Sequence, residues 1–123
     1  MEYLVISIGG ILGATARYWM TNWAAQRLGA SFPYGTFIIN ISGAFVLGLF
    51  MAFLQDRAFV HGHYRLFFAT GFCGAYTTFS TLTYELLRLF QDGSVLLAFT
   101  NLLGSLIIGM LGVFLGFVLG RMV

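Results

Sequence analysis

Four long apolar runs, 3–25, 35–54, 66–90 and 95–120, leave this chain few ways to fold in water. Each holds about 20 residues or more, which at about 1.5 Å of rise per residue spans a bilayer core of about 30 Å. The links between them are short: 26–34 holds the only proline, Pro33, 55–65 carries both histidines, and 91–94 is a tight Asp-Gly turn. Long apolar runs on short links predict an all-α integral membrane protein, with four transmembrane helices in a small antiparallel bundle and both termini on one side. Composition agrees, since only 8% of the 123 residues are charged, against about 25% in a soluble domain. The length allows a single four-helix membrane domain, 1–123, multi-pass in the cell (plasma or inner) membrane. The chain begins Met1, Glu2, Tyr3, Leu4, without the basic n-region of a cleaved signal, so the first run is expected to be retained.

Charge is sparse and evenly spread. The positive residues are six arginines with no lysine, and they form no cluster, so nucleic acid is not an expected partner. With the termini and the second link on one side, Arg57, Arg65 and Arg121 lie there; Arg27 and Arg88 lie on the other. Lys/Arg bias is what normally sets membrane orientation, and three against two is almost no bias. The near balance favours a protein that inserts both ways and pairs antiparallel with itself. A fixed topology set by one extra arginine is the alternative.

The third run contains the block that demands an explanation. From Gly71 to Glu85 it gathers Gly71, Gly74, Thr77, Thr78, Ser80, Thr81, Thr83 and Glu85 inside a segment otherwise suited to lipid. Polar groups in hydrocarbon cost free energy unless satisfied, so such a block marks a functional site. Gly71 and Gly74, followed by the β-branched Thr77 and Thr78, favour a local break in this helix. Unwound backbone at membrane depth is tolerated where it lines a cavity, and its freed carbonyls can bind a cation. Thr77, Thr81, Tyr84, Glu85 and Arg88 recur on one helical face, a hydroxyl stripe that reads as one wall of an ion path. The plainer reading of its end is that Glu85 and Arg88 snorkel to the boundary as an i, i+3 pair.

Other runs add polar groups. Thr36, Asn40 and Gly43 lie about one turn apart in the second. An amide offers two N–H donors without charge, which suits a dehydrated anion better than a cation; interhelical hydrogen bonding is the plainer role. Asn101 and Ser105, i and i+4 in the fourth, extend the polar track, and Arg17 sits deep in the first, free to attract an anion or to pair locally. Gly9 and Gly13 form one GxxxG pair, and Gly112, Gly116 and Gly120 a longer one, with Gly104 and Gly109 before them. Small residues let membrane helices approach closely, so these predict tight packing and nothing more.

No enzyme chemistry is expected. His61 and His63 have only Asp56 nearby, too little for a metal site. The glycine pairs lack the strand and the Gly-Lys-Ser/Thr ending of a nucleotide loop. Cys73 is alone and reads as a small buried hydrophobe.

Three ordered blocks resemble the Fluc (CrcB-type) fluoride channels: Gly9-Gly-Ile-Leu-Gly-Ala-Thr-Ala-Arg17-Tyr, Gly35-Thr-Phe-Ile-Ile-Asn40-Ile-Ser-Gly43 and Gly71-Phe-Cys-Gly74-Ala-Tyr-Thr-Thr-Phe79-Ser-Thr. The resemblance covers essentially the whole chain. It implies an antiparallel dual-topology homodimer that exports cytoplasmic fluoride passively through two pores, with a structural sodium ion at the dimer centre. By motif position, the backbone carbonyls of Gly74 and Thr77 hold the sodium. Asn40 donates to fluoride and Phe79 offers its electropositive ring edge. Thr36, Thr81, Glu85 and Ser105 fall on the polar track, and Arg17 lies near the pore mouth. Where the family commonly has a second phenylalanine, this chain has Leu82; Asn101 stands where some members carry tyrosine, and Gly109 where some carry serine. Two alternatives follow. An accessory subunit of a heteromeric channel fits the Leu82 departure. A proton-coupled small multidrug exporter needs a carboxylate central in the first helix, where this chain has none.

Overall fold

The computed structural model describes residues 1–55, 57 and 62–123, and among them every regular element is helical. Helix α1 runs Glu2–Leu28 and α2 Tyr34–Gln55. After the second link come α3, Gly62–Arg65, a π-helical stretch Leu66–Cys73, and α4, Gly74–Tyr76, in unbroken succession. Helix α5 is Phe79–Gln91 and α6 Val95–Met122. Asp56 and His61 of the second link lie outside the described residues.

The turns follow from local chemistry. The Pro33 carbonyl accepts the first bond of α2 from the Phe37 N–H at 3.2 Å; its ring costs nothing there, since a helix start has no use for that N–H. After α5, Gly93 takes φ 78°, which lets the Ser94 N–H reach the Leu89 carbonyl at 2.9 Å and the Gly93 N–H reach Phe90 at 3.1 Å. This double closure satisfies carbonyls that the helix end would strand.

The third apolar run is broken, as its block of glycines and threonines suggested, but the glycines are not the break. Gly74 keeps helical angles, φ −61° and ψ −38°. The chain departs from the helix at Thr77 (φ −82°, ψ 159°) and Thr78 (φ −152°, ψ 119°). A β-branched pair fits extended backbone well. Thr78 then caps α5, its Oγ1 accepting the Thr81 N–H at 3.2 Å. Thr77 therefore leaves the α5 face on which periodicity placed it; its hydroxyl turns back to the Cys73 carbonyl at 2.8 Å.

Close backbone approach organises the rest. A methyl group added at Gly9 or Gly13 of α1 would strike the carbonyls of Phe67 and Phe72 in the π-helical stretch. Likewise, one at Gly48 of α2 meets Val113, and one at Gly116 or Gly120 of α6 meets Phe45 or Leu49. These contacts run in the same sense, 45 to 116 and 49 to 120, so α2 and α6 lie parallel. Membrane helices are held by such packing rather than by expelling water from large side chains. Consistent with that, the buried apolar residues are mostly small (Ala24, Ala52, Cys73, Ala98), and the large ones face outward along α1 and α6. Among the described residues two helices, Tyr34–Gln55 and Val95–Met122, are long and apolar enough to cross a membrane, with mean hydropathy 2.3 and 2.5. Helix α1 has the length at 27 residues, but Ser7, Thr15, Arg17 and Asn22 dilute it.

Candidate functional site

The break in the third run is built around Asn40. Its Nδ2 donates to the Thr78 carbonyl at 3.0 Å, and its Oδ1 accepts the Thr78 N–H at 2.8 Å. The side-chain amide thus pairs with one backbone residue as a neighbouring strand would. Reversing the amide would set donor against donor, so its orientation is fixed by the pair. A primary amide carries two N–H groups, and this pairing uses one. The second remains for another acceptor.

That second N–H belongs to a group lining a cavity of about 350 Å³, with Thr77, Thr78, Phe79, Leu82 and Ser105. Phe79 is 78% exposed in the single chain. Leu82 lies beside it in the same wall. Ser105 is present, but its hydroxyl donates to Asn101 Oδ1 at 3.1 Å, so it turns lone pairs rather than its proton to other partners. Asn101 is fully buried and its Nδ2 has no partner among the described residues.

A second cavity, of about 410 Å³, collects the other sequence candidates: Arg17, Thr36, Thr81 and Glu85. Here Thr36 donates its hydroxyl to Glu85 Oε1 at 2.7 Å, and Thr78 donates to Thr81 Oγ1 at 3.1 Å. Glu85 Oε2 is buried and unpartnered among the described residues. The carboxylate therefore turns inward to α2 instead of pairing with Arg88, contrary to the snorkelling reading. Tyr84, placed on the same stripe by spacing, is 60% exposed and lines neither cavity.

So the predicted residues fall into two groups. Asn40, Phe79 and Ser105 share one cavity, and Arg17, Thr36, Thr81 and Glu85 share the other. Thr78 lines both; the sequence pointed to it as part of the break but not as a residue of the ion path. No local signal could have found its capping role, since Thr81 at the third helical position is not the Glu or Gln of a capping box.

The remaining candidates are backbone carbonyls. In an unbroken helix the Gly74 oxygen would accept the Thr78 N–H, which Asn40 has taken. The Thr77 oxygen would likewise accept the Thr81 N–H, which Thr78 Oγ1 has taken. No backbone hydrogen bond across the break reaches either oxygen among the described residues. Gly74 is also exposed. Freed carbonyls of this kind are oxygen donors suited to a hard cation such as sodium.

The sequence matches the family described as CrcB-like protein, Camphor Resistance (CrcB), over residues 4–117. The chain belongs to the CrcB-like family. A protein of Acidobacterium capsulatum named fluoride-specific ion channel FluC is 47% identical over 121 residues, covering 98% of this chain and 97% of that one. A second so named, from Koribacter versatilis, is 54% identical over 93 residues, 76% of this chain and 74% of its own length. A third, from Rhodospirillum rubrum, is 44% identical over 120 residues, covering 96% and 93%. This CrcB-like protein is thus an integral membrane protein and no enzyme, its relatives being channels by name. The resemblance read from the three sequence blocks holds.

Proposed function

We propose that this CrcB-like protein is a fluoride-selective channel that lets fluoride leave the cytoplasm passively. The observation that carries the reading is the spare N–H of Asn40, held beside Phe79 in the smaller cavity. Fluoride is small and strongly hydrated, so a pore must replace its water with donors yet not hold it too tightly to release. A neutral amide meets that requirement. The positive ring edge of Phe79 adds a second weak electropositive contact. Thr36, Thr81, Glu85 and Ser105 continue the path as a polar track, and Arg17 draws anions toward its mouth.

The working unit is an antiparallel dual-topology homodimer of four-span subunits, with two pores. The exposure of Phe79 and Gly74 in the single chain supports a second copy covering that face. A structural sodium ion at the dimer centre is held by the carbonyls of Gly74 and Thr77 from both subunits, and supplies positive charge that offsets facing carbonyl dipoles.

The test is anion efflux from liposomes holding the purified protein, followed with a fluoride electrode and a chloride control. Fast fluoride loss without chloride loss, abolished in Asn40→Ala, is the expected result. No flux from a folded dimer defeats the homodimeric channel. Leu82 favours one second reading, since leucine in that wall offers no ring edge: an accessory subunit completed by an unlike chain. Flux gained only on Leu82→Phe, or only with a second chain present, would point there.

A further inference from the structure

Asn40 also has a task at the backbone of the break itself. Gly74 has helical angles and the Thr77 N–H still closes onto the Cys73 carbonyl at 3.0 Å, so the helix is intact up to the next bond. That next bond would be Thr78 N–H to Gly74 oxygen; instead the Thr78 N–H lies 2.8 Å from Asn40 Oδ1. We infer that Asn40 positions the cation site: by capturing the Thr78 N–H it keeps the Gly74 carbonyl out of the helix ladder and open to sodium. One side chain then serves two ions with different atoms. Its second N–H belongs to a residue lining the anion cavity, and its Oδ1 governs whether a carbonyl oxygen is available to the cation.

The inference rests on the cation site proposed above. The physical reason is that buried backbone groups are nearly always paired. An N–H released from Asn40 has one partner in its own helix, the Gly74 oxygen, and pairing there would continue the helix and occupy the site. Ligand-orienting partners of this kind typically change metal affinity by roughly 10–100-fold when removed.

Substitution at Asn40 separates the two tasks. Asn40→Asp, in its protonated form, keeps an acceptor for the Thr78 N–H and an O–H for the Thr78 carbonyl but has no spare N–H for an anion, whereas Asn40→Ala has none of these. The measurement is the thermal unfolding temperature of purified protein titrated with sodium chloride against N-methylglucamine chloride, alongside fluoride flux. Asn40→Asp is expected to lose flux and keep the sodium response. Asn40→Ala is expected to lose flux and to need roughly 10–100-fold more sodium for half the response. Equal sodium dependence in Asn40→Ala and wild type overturns the inference while leaving the cation site standing. Absence of any sodium response in the wild type removes the cation site, and the inference with it. If Asn40→Ala does not fold, amide exchange in the wild type decides. The Thr78 N–H should stay protected without sodium, since its partner is a side chain, and rapid exchange there overturns the inference.

Discussion

Asn40 was legible in the sequence because an amide inside an apolar run must find partners, but its partner was not. The Thr78 backbone lies 38 residues away, and no local pattern points to it. Thr36, Thr81 and Glu85 were legible for the same reason as Asn40, and they do share a cavity. Thr78 was hidden because a threonine following a threonine carries no mark of which one will cap. Its Oγ1 takes the Thr81 N–H and its proton goes to Thr81 Oγ1. Thr78→Val keeps the β-branched shape that suits extended backbone and removes both bonds. It should cost about 1 kcal/mol, the usual value of an N-cap, read as a lower unfolding temperature with the oligomeric state of the purified protein unchanged. Thr36→Val tests the other cavity. It leaves the Glu85 carboxylate without the donor now 2.7 Å away, a loss of about 1–3 kcal/mol for a buried acceptor. Unchanged stability would show that water replaces the hydroxyl there.

At the scale of elements, periodicity and glycine spacing placed the helices well and the break less so. Helices α1, α2 and α6 begin and end within a few residues of the apolar runs: Gly29 follows the end of α1, Pro33 precedes the start of α2, and Gly93 turns the chain between α5 and α6. The break was expected from Gly71 and Gly74 together with Thr77 and Thr78, and it falls at the two threonines; Gly71 instead packs on α1, 2.8 Å from the Ile6 carbonyl to an added methyl. Its smallness serves contact between helices. The π-helical stretch at Leu66–Cys73 was illegible, since its residues read equally well as an α-helix. The two extremes among the glycines of α6 give a sharp comparison. Gly116 sits against the Phe45 carbonyl, with the Leu49 nitrogen 2.9 Å from an added methyl, whereas Gly109 has nothing within 4 Å. Gly116→Leu must therefore push α6 off α2, a relatively rigid backbone contact, and overpacking of this kind costs about 1–3 kcal/mol or more. Gly109→Leu meets open space within the single chain. Folded yield in detergent should fall for the first and hold for the second. Loss in Gly109→Leu as well would mean that a second copy lies against that face.

For the whole molecule the open quantity is orientation, which neither the helices nor their packing sets. An outside surface rich in leucine, isoleucine and phenylalanine commits the protein to lipid but is equally content either way up. What remains is the arginine count in the links and termini, Arg57, Arg65 and Arg121 against Arg27 and Arg88, and orientation follows such counts over short loops. Arg57 is further occupied, stacked 4.0 Å over the Phe53 ring and donating to the Val123 carbonyl at 3.2 Å, which ties the second link to the C-terminus on one side. The balance is thus close enough for one or two changes to tip it. Replacing Arg65 and Arg121 by glutamine should drive one orientation, and replacing Arg27 and Arg88 by glutamine the other, read with a reporter at the C-terminus. If the channel is an antiparallel pair, each biased variant expressed alone should lose most fluoride flux while accumulating in the membrane. The two expressed together should recover it, because each supplies the partner that the other lacks. Full flux from either biased variant alone would require a parallel dimer or a working single chain, and would remove the proposed antiparallel assembly together with the two pores and central cation proposed for it.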